Sequence, residues 1–225
     1  RITVLKYGFT IPGSGPLPAP EYMRALVRRG EDLGFDTVVC PDHIVFPKDI
    51  SSPYPYNEQA VHPGTIGGAC LDQLTVLAFI AGQTTTLRLG TSVMIVPHRN
   101  SIVAAKALAI LDVLSNGRVT LGVGAGWLRE EFETLDLLSF DEKGAVTDEY
   151  IRAFFELWTS DNPSFDGKYV SFSNINFLPK PVQKPHMPIR VGGESNRAIR
   201  RAARMGNACH PLGTNPGFPL GTPEL

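Results

Sequence analysis

Two short clusters in this 225-residue chain carry residue types that move protons or hold anions. Pro41-Asp42-His43 closes a β-branched run. A histidine there can relay protons or hydrogen-bond a heterocycle near neutral pH, and Asp42 can fix its tautomer or reach a ligand itself. The same residues also read as an ordinary turn, with Asp42 as its cap and His43 in solvent, and the pattern weighs the two readings evenly. Gly192-Gly193-Glu194-Ser195 runs straight into a helical pattern. Free amides at a helix start bind anions, and glycines let a phosphate approach. A tight strand-to-helix turn with Ser195 as N-cap uses the same residues.

Two further stretches are built for close approach. In Gly90-Thr91-Ser92-Val93-Met94, small residues before a β-branched one suit a bulge on which a flat ring can lie, or a plain buried strand. In Gly122-Val123-Gly124-Ala125-Gly126-Trp127, alternate glycines clear one face for a ligand or for neighbouring backbone. Trp127 then stacks on the ligand or covers the mouth. Of the remaining histidines, His98 and His210 follow strand ends and belong near that mouth. His186 sits among prolines and reads as structural, and His62 lies in a long loop. Their spacing matches no metal motif, so no metal is expected, and no nucleophile elbow occurs.

The elements that position these residues alternate between short β-branched runs and helical periods, the pattern of repeated βα units with parallel strands. Strands are expected at 2–9, 37–40, 87–96, 119–123, 189–191 and 207–211. Helices are expected at 21–33, 72–81, 101–114, 128–135, 147–159 and 195–205. Residues 41–68 contain five prolines and no period, a connection long enough to be functional. Residues 163–178, with Asp166-Gly167 between aromatic runs, suggest a hairpin inserted into a single domain spanning 1–225. Arg190 on a short strand needs an anionic partner if it points inward. Arg197, Arg200, Arg201 and Arg204 mostly fall on a solvated helix face.

Six strands with their helices fit the first three quarters of a (β/α)8 barrel, and the last two strands have no candidate in the chain. An open doubly wound sheet is the architectural alternative, weakened because no G-x-G-x-x-G follows the first strand. The formal charge of -1 offers no basic footprint for nucleic acid or for a membrane surface. Cys40, Cys70 and Cys209 make no C-x-x-C pair, which points to a reducing cytoplasm rather than a disulfide framework.

Several of these stretches together resemble the luciferase-like monooxygenases and their F420-dependent relatives. Leu33-Gly34-Phe35-Asp36 leading to Asp42-His43 is one. Leu111-Asp112-Val113-Leu114-Ser115-Asn116-Gly117-Arg118, followed by the glycine strand and Gly126-Trp127, is another. The third is Pro179-Lys180-Pro181-Val182-Gln183, with Pro185 and Pro188 ahead of residues 189–193. They occur in the family's order over nearly the whole chain.

The resemblance implies an α/β fold, a TIM barrel holding F420, or alternatively FMN, at the C-terminal ends of its strands. It places Asp42 and His43 beside the ring, and Ser92-Val93 where the family often has a non-prolyl cis peptide beneath it. It puts Gly124 and Trp127 in the same pocket, and Gly192 and Gly193 on the cofactor phosphate. Several F420-using relatives carry a Glu as proton donor near the position of Trp127. Trp127 departs from that pattern, and Glu130 and Glu131 are only weak substitutes. The expected protein is a cytoplasmic oxidoreductase or monooxygenase acting on a small organic substrate, with a homodimer as the implied assembly. The competing expectation is a non-catalytic or truncated flavin-binding barrel protein.

Overall fold

The computed structural model describes residues 5–11, 19–62 and 70–218. The strands are β1 (Gly8–Thr10), β2 (Thr37–Cys40), β3 (Arg88–Thr91), β4 (Met94–Ile95), β5 (Val119–Gly124), β6 (Phe165–Asp166), β7 (Ser171–Phe172), β8 (Ile189–Gly192) and β9 (Ala208–His210). The helices are α1 (Pro20–Asp32), α2 (Gln73–Ala81), α3 (Ser101–Leu114), α4 (Arg129–Thr134), α5 (Lys143–Thr159) and α6 (Asn196–Met205). Seven strands form one sheet in the order β1-β2-β3-β5-β8-β9, with β4 also paired to β5, and every pairing in it is parallel. Neighbours in space are thus neighbours in sequence, the winding of a curled (β/α) half-barrel rather than of a doubly wound sheet.

Burial on both faces explains the strand compositions. All six residues of β5 are buried, and its sequence, Val-Thr-Leu-Gly-Val-Gly, has no polar face. Leu77, Ile80, Leu108, Phe154 and Trp158 bring α2, α3 and α5 into one core with Leu89, Leu121 and Ile189 of the strands. The Trp158 indole N–H donates to Ala105 O (3.0 Å), so its one polar atom is paired inside that core. Gly30, costly in a helix interior, has a packing reason: a Cβ there would sit 2.4 Å from the Phe9 ring of β1.

Three expectations change. The strand expected over 87–96 breaks at Ser92-Val93, whose peptide bond is cis, and its last residues wind into a 3-10 turn, Val96–His98. The insertion forms a separate two-stranded antiparallel pair, but Asp166 is the last residue of β6, so the connection is residues 167–170. That loop wraps the buried carboxylate of Glu149 on α5, which accepts from the amides of Lys168, Tyr169 and Val170. Arg201 is not solvated; it is buried and pairs with Asp148 of α5 at 2.5 Å. The first three residues of the strand expected at 2–9, and residues 63–68 of the long loop, lie outside the described residues.

Candidate active site

Asp42 leaves β2 directly into a clamp. Its Oδ2 accepts from Ile95 N (2.8 Å) and Arg99 Nη1 (2.7 Å), and its Oδ1 accepts from Arg99 Nη2 (2.9 Å). The same guanidinium reaches Asp72 Oδ2 (2.7 Å), and Asp72 caps α2 through Thr75 N. Both oxygens of Asp42 are therefore engaged, and its side chain has no exposed surface. The geometry makes Asp42 a tie between β2, β4 and α2. The residue that holds the His43 ring is a different one.

That residue is Glu131 of α4. Its side chain is fully buried, and its Oε2 accepts from His43 Nδ1 at 2.7 Å. Its Oε1 accepts from the amides of Ile44 (2.8 Å) and Val45 (3.2 Å). Burial alone would raise the carboxyl's pKa, but His43, His98 and the Ile44 amide outweigh it and bring it below the usual range. His98 Nδ1 stands 3.7 Å from Oε1, too far for a hydrogen bond. Burial drops the His98 pKa to about 4, so its ring is neutral at physiological pH. Glu130, next in sequence, holds the long loop further along, accepting from Ser51 N, Ser51 Oγ and Ser52 N.

Aromatic rings surround His43. Phe46 lies 4.4 Å away between centroids, His62 5.1 Å and Trp127 6.2 Å. His62 stacks between Phe46 and Trp127, and Tyr54 meets both His62 and Trp127 edge-on. Burial, with the neighbouring His43, lowers the His62 pKa to about 4. The long loop thus lays a neutral aromatic layer beside His43.

Between β3 and β4 the Ser92-Val93 peptide bond is cis. A Cβ on Gly122 would lie 2.1 Å from Thr91 O, one on Gly124 2.5 Å from Val93 Cγ2, and one on Gly192 2.8 Å from Val93 Cγ1. Neighbouring backbone fills the space at Gly122, while the Val93 side chain fills it at Gly124 and Gly192. Ser92 Oγ lies 3.1 Å from His210 Nε2, which ties the turn after β3 to β9. Burial and the charge of Arg190 lower the His210 pKa.

Gly193 takes a left-handed φ of +99°, and Ser195 caps α6 by accepting from Ala198 N (3.2 Å). The other first-turn amides have no intrahelical acceptor and point out of the helix start. Val191 packs toward Gly206 at the end of α6, so alternation turns Arg190 to the opposite, interior face of β8. It forms no ion pair among the described residues.

Sequence reasoning named His43, Asp42, Ser92, Val93, Gly124, Trp127, Gly192 and Gly193. The structure brings His43 and Trp127 together, gathers Val93, Gly124 and Gly192 in one contact, and ties Asp42 into the adjoining clamp. It also reveals Glu131 as the hub, which sequence treated only as a weak acid candidate. The available signal was its place one turn into the helix that follows the glycine strand. Among the described residues six buried side-chain atoms lack a hydrogen-bond partner: Gln73 Oε1, both ring nitrogens of His98, Ser101 Oγ, Glu130 Oε2 and Glu194 Oε2. All five residues lie where strands end and helices begin. Among the described residues no cluster of side chains suits a metal ion.

The model of the luciferase-like monooxygenase family matches residues 4–218. The chain belongs to that family. A curated but uncharacterised protein of Mycobacterium tuberculosis (strain ATCC 25618 / H37Rv) is 34% identical over 168 residues, which is 75% of this chain and 59% of the relative. An FMNH2-dependent dimethylsulfone monooxygenase of Pseudomonas putida is 33% identical over 136 residues, 60% of this chain and 37% of that protein. Among solved structures, the monooxygenase RslO1 of Streptomyces bottropensis superimposes with a TM-score of 0.75 at 26% identity, over 94% of this chain and 61% of that one. An F420-dependent secondary alcohol dehydrogenase, solved with an F420-acetone adduct, gives 0.72 at 21% identity over 93% and 59%, a likeness of fold. The chain spans about three fifths of the length of the mycobacterial relatives it matches. Among the described residues no helix is long and apolar enough to cross a membrane.

Proposed function

We propose that this chain binds F420, or alternatively FMN, at the C-terminal ends of its strands and serves an oxidoreductase or monooxygenase acting on a small organic molecule. The observation that carries this reading is the gathering at that one end of every buried side-chain polar atom left without a partner among the described residues. The residues fit such a cofactor. The cis Ser92-Val93 peptide, with the Val93 side chain seated on Gly124 and Gly192, is the floor in this reading for a flat ring. The Gly193 turn and the start of α6 offer amides to its phosphate, and Arg190 adds a cation on the interior face. Reduced F420 supplies a hydride, and reduced FMN reacts with oxygen.

The protein's own part is to bind, to exclude water and to handle a proton. Phe46, Tyr54, His62 and Trp127 wall the mouth with uncharged rings. His43 is the proton-handling group: its Nδ1 is held from below by Glu131, and its Nε2 makes no hydrogen bond among the described residues. The relatives support both cofactors, one by name as FMNH2-dependent and one as F420-dependent. Titrating the purified protein with each, followed by fluorescence, separates them; saturable binding of neither sinks the proposal. His43→Ala should lower turnover of the reduced cofactor, or its affinity, at least about tenfold. Unchanged kinetics and affinity would remove His43 from the site. Binding without substrate- or oxygen-dependent turnover would favour a flavin-binding protein.

A further inference from the structure

The oxygens of Glu131 divide their partners by chemistry. Oε1 faces the amides of Ile44 and Val45, which can only donate. Oε2 faces His43 Nδ1, a nitrogen that donates or accepts according to where the ring proton sits. A carboxylate held ionised only accepts, so Nδ1 must carry the proton. His98 does not compete for it, since its ring is neutral and its Nδ1 stops 3.7 Å from the other oxygen. The rest of the ring is fixed by contact with Phe46, His62 and Trp127.

We infer that Glu131 is the positioning residue of the site: it sets His43 in the Nδ1–H tautomer and leaves Nε2 as the proton acceptor at the mouth. This rests on the proposed proton-handling role of His43. By gripping the ring and the next two amides together, Glu131 makes the tautomer a property of the backbone turn. A passing ligand would not need to select it.

The arrangement predicts an unusual outcome for an isosteric change. In Glu131→Gln the amide oxygen must still receive Ile44 N and Val45 N, so the amide nitrogen faces Nδ1. That nitrogen donates, Nδ1 becomes the acceptor, and the ring proton moves to Nε2. The hydrogen bonds are conserved in number while the base is switched off.

The test is a two-bond nitrogen–proton correlation spectrum of the full chain labelled with [15N]histidine, with His43 assigned by the loss of its signals in His43→Gln. The wild type should show the proton on Nδ1, and Glu131→Gln should show it on Nε2. The variant should also lose turnover of reduced cofactor by about 100-fold or more, with cofactor affinity changed only a few-fold. A wild-type proton on Nε2 overturns the inference, and so does a variant with the original tautomer and full turnover. If Glu131→Gln fails to fold, the wild-type spectrum still decides. If neither FMN nor F420 binds the wild type, the proposed function fails, while the tautomer assignment is judged by the spectrum alone.

Discussion

The two ends of the sheet treat their polar groups in opposite ways. At the base, where strands begin, each group is answered. Asp112, fully buried, accepts from Gln183 N and Gln183 Nε2. Arg118 donates to the carbonyls of Ala81, Thr84, Leu87 and Ser115 and to Thr84 Oγ1. Glu31 of α1 accepts from the amides of Thr85, Thr86 and Leu87. At the mouth, among the described residues, the His98 ring has no hydrogen bond, and Glu130 and Glu194 each keep one buried oxygen unpaired. Unmet polar groups cost stability, and their confinement to one end is what the proposed cofactor site there calls for. The base holds the half-barrel together, and the mouth is where the proposed cofactor site lies.

The largest effect that would test this contrast is at the base. Arg118→Ala strips five hydrogen bonds from one turn and leaves buried carbonyls unpaired, and should cost about 3 kcal/mol or more in chemical denaturation. A loss under about 1 kcal/mol would mean that water replaces the guanidinium, and the base would not be the stable end. At the mouth, His98→Phe removes two unpaired nitrogens while keeping a ring against Phe132. Its stability should stay within about 1 kcal/mol of wild type or rise above it. A loss beyond about 2 kcal/mol would show that the nitrogens of His98 are partnered in solution, which breaks the contrast at its clearest point.

The smallest effect concerns pH. Burial alone would raise the Glu31 carboxyl, but the amides of Thr86, Leu87 and Thr85 and the Thr86 hydroxyl bring it from 4.5 down to about 2. A carboxyl depressed on folding adds stability that is complete above its unfolded value and lost as pH falls through the folded one. Wild-type denaturation midpoints should therefore fall between pH 4.5 and 2 more steeply than those of Glu31→Gln, with parallel curves above that window. Equal slopes would remove Glu31 from the set of groups that hold the base.

Much of the scaffold was legible because it rests on local rules. The helix over Ser101–Leu114 and the strand over Thr37–Cys40 follow from apolar period and β-branched content, and the observed bounds agree. Ser195 as N-cap and Asn116-Gly117 as a turn with positive φ at both residues were readable from residue type alone. The break in the third strand was not readable from periodicity, because a cis bond at Ser92-Val93 leaves no apolar signature. It entered through resemblance.

The candidate site divides the same way. The sequence by itself determined the winding and the membership of the family, since these follow from order, period and short motifs. Only the tertiary structure decided which carboxylate serves which neighbour. Asp42 lies beside His43 in sequence, yet strand geometry sends its side chain to Arg99, 57 residues away. Glu131, 88 residues from His43, reaches the ring because α4 follows a strand two places along the sheet. A hydrogen bond is specific over about 3 Å, and no one-dimensional pattern records which helix end will come that close.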